Sequence, residues 1–89
     1  MTEFEAMKEM EAMVSAVVPS GCRVSVRRAA GQFTIAQIGV DWHSDSLSRC
    51  KMFVALTSGV DIPTWRKLTI EDKAKIVEEI RKDVAHAHV

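Results

Sequence analysis

The strongest constraint on the fold is a stretch of alternating residues on either side of Gly31. Apolar and polar residues alternate over 22–27, which is the period of a half-buried β-strand. A second strand-like segment runs from about Gln32 to Trp42. Ala29-Ala30-Gly31 between them suits a three-residue turn, with Gly31 in the left-handed conformation. The pattern therefore predicts an antiparallel β-hairpin.

The second strand of this hairpin carries apolar residues on both faces. Phe33 and Ile35 fall on one face, and the other face carries Ala36, Ile38, Val40 and Trp42. Such a strand is either covered on both sides or meets a partner chain. We expect Phe33 to lie in the core. A homodimer and a monomer are equally compatible with this strand.

Helices are predicted on both sides of the hairpin. Thr2 and Glu5 have the spacing of a capping box, and Pro19-Ser20-Gly21 ends the first helix. Its apolar stripe comprises Phe4, Met7, Met10, Met13, Val14 and Val17. Thr69 caps the last helix, with Asp72 three residues later. The stripe of the last helix comprises Ile70, Ala74, Ile76, Val77, Ile80 and Val84.

Residues 47–58 fit two kinds of secondary structure. As a helix they place Leu47, Cys50 and Phe53 inward, with Gly59 as the helix stop. As a strand, residues 50–57 would place their side chains alternately on the two faces. The cap signals favour the helix, and residues 60–68 are then a connector. The expected fold class is α+β, in the order helix, two-stranded antiparallel hairpin and two helices (αββαα), with a third strand at 50–57 as the alternative.

Chain length and composition limit the class of protein. With 89 residues, we expect one α+β domain over residues 1–85 and a frayed tail over 86–89. The sequence contains no apolar run long enough to span a membrane and begins without a signal-peptide pattern. Cys22 and Cys50 are the only cysteines. We interpret them as reduced thiols and expect a cytoplasmic location.

Charge is arranged in blocks, although the formal net charge is zero. Residues 1–18 carry four glutamates and one lysine, a balance of −3, whereas residues 19–40 carry only three charges, all arginines. These arginines, Arg23, Arg27 and Arg28, lie in the predicted hairpin, with Arg23 and Arg27 on one face of the strand and Arg28 near the turn. A patch of one sign favours an anion or an acidic partner. The neutral total argues against a protein that coats nucleic acid non-specifically.

Three interpretations of the arginines remain open. The acidic first helix could neutralise them from within the chain, through Glu5 or Glu9. A partner protein could supply carboxylates, which arginine binds in a bidentate manner. The arginines could also contact phosphates of a nucleic acid, although the aromatic residues that stack on single-stranded bases are lacking nearby.

Residues 41–50 contain the other candidate chemistry. Asp41, His43 and Asp45 alternate, and carboxylate and imidazole groups can bind metals or transfer protons. Cys50 and His43 are the only pairing that could form a thiol–imidazole dyad. The serine- and aspartate-rich context is typical of a polar turn, so we predict no catalytic residue, no metal site and no cofactor.

The sequence therefore predicts a small non-enzymatic interaction protein: an adaptor, inhibitor or accessory regulator that presents the arginine hairpin to an acidic macromolecule. No membrane partner is expected. The candidate partner-binding residues are Arg23, Arg27, Arg28, Trp42, His43 and Asp45. Arginine would steer the encounter and tryptophan would anchor it. A nucleic-acid-binding domain that uses the same hairpin is the alternative, and a metal- or thiol-dependent enzyme is the third.

Overall fold

Three helices and one three-stranded antiparallel sheet make up the residues that the computed structural model describes, which are 1–42 and 58–87. The elements follow in the order α1 (Glu3–Ser15), β1 (Arg23–Ala29), β2 (Gln32–Asp41), β3 (Ser58–Asp61), α2 (Ile62–Lys67) and α3 (Ile70–Ala87). β2 lies between β1 and β3. The predicted α+β class, with a helix, an antiparallel hairpin and then helices, is confirmed.

The region after the hairpin differs from the prediction in two places. Gly59 lies within β3 and has no positive φ, so it is not a helix stop. The expected connector at 60–68 contains the end of β3 and all of α2. Asp61 caps α2, because its carboxylate accepts hydrogen bonds from the backbone N–H and the hydroxyl of Thr64. The segment 47–57, predicted as helix or strand, lies outside the described residues.

Helix α1 begins at the predicted capping box but buries a different stripe. The Glu5 N–H donates to Thr2 Oγ1 at 3.1 Å, and the Thr2 N–H donates to Glu5 Oε1 at 3.0 Å. The buried residues are Ala6, Met10 and Val14. Phe4 is 67% exposed, because it lies roughly 200° around the helix from Ala6. The placement of Phe4 in the core stripe was therefore wrong.

The hairpin turns at Ala30-Gly31, one residue shorter than predicted, with Gly31 at φ +74° as expected. Ala29 pairs with Gln32, but the next residue back, Arg28, pairs with Ala36. Residues 33–35 therefore bulge out of the β1–β2 ladder. Phe33 in this bulge is 81% exposed, so its expected place in the core was wrong.

The described helices cover one face of the sheet. On that face Ala36, Ile38 and Val40 of β2 are buried, and Val24 and Val26 of β1 pack beside them. Helix α1 contacts mainly β1, whereas α2 contacts β2 and β3. Successive residues of a strand point to opposite faces, so the residues between these apolar ones lie on the other face, called here the helix-free face.

Helices α2 and α3 complete the core. Ile62 and Trp65 of α2 are fully buried, so Trp65 is a core anchor and not an exposed contact residue. Helix α3 is capped by Thr69 as predicted. The buried residues of α3 are Lys73, Val77, Ile80 and Val84. Ile70 and Ala74 are exposed, so their place in the predicted apolar stripe was wrong. Lys73 is buried against the other helices instead.

One carboxylate connects all three helices. Glu9 Oε1 accepts a hydrogen bond from Trp65 Nε1 at 2.9 Å and one from Lys73 Nζ at 2.6 Å. Lys73 Nζ also lies 5.5 Å from the centroid of the Trp65 ring, within the range of a cation–π contact. The hydrogen bond from Lys73, assisted by that from Trp65, lowers the pKa of Glu9. We call these three residues the helix junction.

Replacing Glu9 by glutamine should lower the free energy of unfolding by about 2 kcal/mol at neutral pH, because Lys73 loses its counter-charge while only 5% exposed. The folded-state pKa of Glu9 is lowered, so its stabilisation is present at neutral pH and is lost as the pH falls below the unfolded-state pKa, about 4.5, and through the folded-state pKa. Denaturant titrations between pH 7 and pH 3 should show a smaller acid-induced loss in Glu9→Gln than in the wild type.

The matched control for this experiment is Glu79→Gln, the same change at an exposed carboxylate on α3 that lies 3.8 Å from Lys82. It should change the free energy of unfolding by less than about 0.5 kcal/mol. Equal effects of the two substitutions would contradict a structural role for the helix junction.

Candidate interaction surface

The arginines of β1 lie on both faces of the sheet. Residues paired across antiparallel strands share a face, and Arg28 pairs with Ala36, which is buried beneath the helices. Arg23 pairs with Asp41 and Arg27 pairs with Gln37, on the helix-free face. The predicted grouping of Arg23 with Arg27 follows from this register, and Arg28 points to the side of α1.

Arg23 has a counter-ion on the neighbouring strand. Its Nε donates to Asp41 Oδ1 at 3.2 Å and its Nη2 donates to Asp41 Oδ2 at 3.1 Å. The hydrogen bonds and charge of Asp41 raise the pKa of Arg23. The Arg23 side chain is 75% exposed, so water screens the pair. The pair occupies two of the five guanidinium N–H groups, which leaves three for other acceptors.

Arg28 is the arginine that the first helix neutralises. Its Nη2 donates to Glu3 Oε2 at 2.7 Å, which joins the hairpin to the first turn of α1. The sequence-based hypothesis named Glu5 or Glu9 for this role. Glu5 is held in the capping box and Glu9 in the helix junction, so the named residues were wrong, and among the described residues α1 forms an ion pair with only one of the three arginines.

Arg27 differs from the other two arginines. It is exposed and forms no ion pair with any residue in the described ranges 1–42 and 58–87. Small residues lie beside it on the helix-free face. A Cβ at Gly39 would meet Ser25 Oγ at 3.2 Å, and one at Gly59 would meet Ile35 Cγ2 at 3.3 Å. Arg27 therefore lies opposite Gln37 and near residues whose side chains are short or absent.

The remaining predicted contact residues are not brought to this face. Trp42 follows β2 directly, is half-buried and packs against the hydrophobic core. It therefore lies on the helix side of the sheet. His43 and Asp45 lie outside the described residues. The structure thus groups Arg23 and Arg27 and separates Trp42 from them.

Phe33 is a surface residue that sequence reasoning missed. It lies two residues beyond Gly31, at the end of the hairpin, with 81% of its surface exposed. The only available signal was its position next to a glycine turn, where strand alternation commonly breaks. A large exposed aromatic side chain provides apolar contact area next to the arginine strand.

The described residues also include a thiol and a surface depression away from the hairpin. Cys22 is a free, half-buried thiol, and burial, together with the nearby Asp41 charge, raises its pKa. No three His, Cys, Asp or Glu side chains in the described ranges are placed to hold a metal ion. A depression of about 290 Å³ is lined by Met1, Pro63, Arg66 and Lys67. No helix within residues 1–42 and 58–87 is long and apolar enough to cross a membrane.

Comparison of the chain with protein-family models, curated proteins and solved structures found no match.

A double-mutant cycle on Arg28→Ala and Glu3→Ala should give a coupling energy of about 0.5 kcal/mol, because the pair has good geometry but is partly exposed. The coupling should fall as salt is raised from 50 mM to about 1 M. Arg27→Ala, the matched change at the unpaired arginine, should leave the free energy of unfolding unchanged within about 0.5 kcal/mol. Chemical denaturation at both salt concentrations measures all three values. No coupling at low salt would contradict the role of Glu3.

Proposed function

We propose that this chain is a non-enzymatic interaction protein, an adaptor, inhibitor or accessory regulator, that binds an acidic protein partner through β1 and the helix-free face. The observation that carries the proposal is Arg27, an exposed arginine with no counter-ion among the described residues. Arg23 stands four residues away on the same face, about 13 Å along the strand.

The chemistry of arginine supports a carboxylate-bearing partner. A guanidinium group binds a carboxylate through two parallel hydrogen bonds, and arginine is enriched at protein interfaces. The strand fixes the spacing of Arg23 and Arg27, so little backbone entropy is lost when a partner binds. Exposed positive charge would also speed the encounter with an acidic surface.

The mixed charge of this surface favours a protein over a nucleic acid. Arg23 and Arg28 already have carboxylate partners, Asp41 and Glu3, and Asp41 lies opposite Arg23 on the helix-free face. A phosphate backbone would meet these carboxylates as like charges. A protein surface can match both signs and can also cover the exposed Phe33.

A cytoplasmic setting is part of the proposal. Cys22 is a free thiol, and such thiols persist in reducing compartments.

The double variant Arg23→Ala/Arg27→Ala should keep the fold and lose at least ten-fold in capture of partner proteins. Wild-type and variant chains are immobilised, exposed to host lysate and compared by quantitative mass spectrometry. Lys75→Ala/Lys82→Ala removes the same charge from exposed positions on α3 and serves as the matched control. Proteins retained equally by all three chains are background. Equal capture of every protein by wild type and the arginine variant would reject the proposal.

A labelled 20-nucleotide DNA or RNA should show no binding by fluorescence anisotropy at about 200 mM salt and at most weak binding at low salt. Three phosphate contacts on a single strand would give a plot of log affinity against log salt with a slope of about −2. A slope of that size, abolished in the arginine double variant, would favour the nucleic-acid alternative.

A further inference from the structure

Strand β1 forms one edge of the sheet. It pairs with β2 over Arg23–Ala29, and no other described strand pairs with it. Backbone N–H and C=O groups along an unpaired edge can accept another strand. A seven-residue edge is long enough for a peptide to add to the sheet in the manner of β-augmentation.

The side chains along this edge are incompletely covered. Val24 and Val26 are only half-buried, whereas their cross-strand partners Val40 and Ile38 are fully buried. Val24 and Val26 are more exposed than their partners because β1 lies at the edge of the described sheet. Strand β2 has a strand on each side, whereas β1 has one. An added strand with apolar residues opposite Val24 and Val26 would remove this remaining apolar surface from water.

In the register centred on Ser25, a second copy of the chain is a poor occupant of this edge. Antiparallel pairing of two β1 strands about Ser25 would place Arg23 of each copy opposite Arg27 of the other. Like charges directly opposite one another destabilise a strand pair. The same spacing suits a strand that carries carboxylates four residues apart.

We propose that an extended acidic segment of the partner adds to the sheet along β1. In this arrangement two carboxylates, four residues apart, lie opposite Arg23 and Arg27, and the apolar residues just inside them lie opposite Val24 and Val26. The required pattern is acidic, apolar, any residue, apolar, acidic. It is symmetric about Ser25, so it fits in either strand direction. This inference rests on the proposed function and specifies its binding mode.

The test uses a seven-residue peptide with blocked termini, Thr-Glu-Val-Thr-Val-Glu-Thr, added to the isotope-labelled chain. Half of the β1 amides, those on the outer edge, should exchange with solvent at least ten-fold more slowly at saturating peptide. The peptide with lysine in place of both glutamates should bind at least ten-fold more weakly. A third peptide, Thr-Val-Glu-Thr-Glu-Val-Thr, places its charges opposite Val24 and Val26 and should also bind weakly.

The outcomes separate this inference from the proposed function. If lysate capture depends on Arg23 and Arg27 but the acidic peptide adds no protection to β1 amides, strand addition is overturned and the proposed function stands. Equal binding of the glutamate and lysine peptides would overturn the charge match. Sedimentation that shows a dimer with protected β1 amides would assign the edge to a second copy and overturn the acidic occupant.

Discussion

The arrangement of the helices depends on the carboxylate of Glu9. A lysine that is 5% exposed cannot keep its charge in a protein interface without a counter-charge and hydrogen bonds, and Glu9 supplies both to Lys73. The same oxygen accepts the indole N–H of Trp65, the largest fully buried side chain among the described residues. Because α1, α2 and α3 each contribute one residue, the junction fixes all three helices relative to one another. Helices α1 and α2 contact one face of the sheet, α3 packs on α1, and no described helix covers the opposite face.

Sequence reasoning succeeded where the interactions are local. The capping of α1 and α3 depends on residues three positions apart, and the hairpin turn depends on one glycine with positive φ. Sequence reasoning failed where tertiary contacts decide which residues of a helix are buried. Ile70 is more apolar than Lys73, yet Ile70 is the first residue of α3 and stays exposed, whereas Lys73 is one turn further along, where Glu9 and Trp65 meet it. An apolar pattern cannot identify a lysine whose partner lies 64 residues away.

The surface residues show the same contrast between features set by local sequence and features set by tertiary contacts. Strand alternation was enough to place Arg23 and Arg27 on a common face. Their surroundings depend on the bulge at 33–35, which shifts the register by three residues. A register continued unchanged from Ala29 and Gln32 would set Arg23 opposite Ile38, a core residue. The shift sets it opposite Asp41, and because three is an odd number it also exchanges the two faces of β2. The neutralisation of Arg23 and the exposure of Phe33 are therefore consequences of one irregularity that composition and periodicity do not encode.

The ion pairs of this chain differ in how readily a partner can replace them. Glu9 and Lys73 are largely buried, so separating them would leave an uncompensated charge within the protein. Arg23 and Asp41 are joined across an exposed strand pair, where water screens the bond and its net contribution to stability is small. A carboxylate from outside can compete for Arg23 at little cost and meets no competitor among the described residues at Arg27. The buried pair therefore maintains the scaffold, while the exposed arginines on β1 can exchange one carboxylate for another. If an acidic segment adds to β1 as proposed, it can therefore replace the exposed pair without separating the buried one.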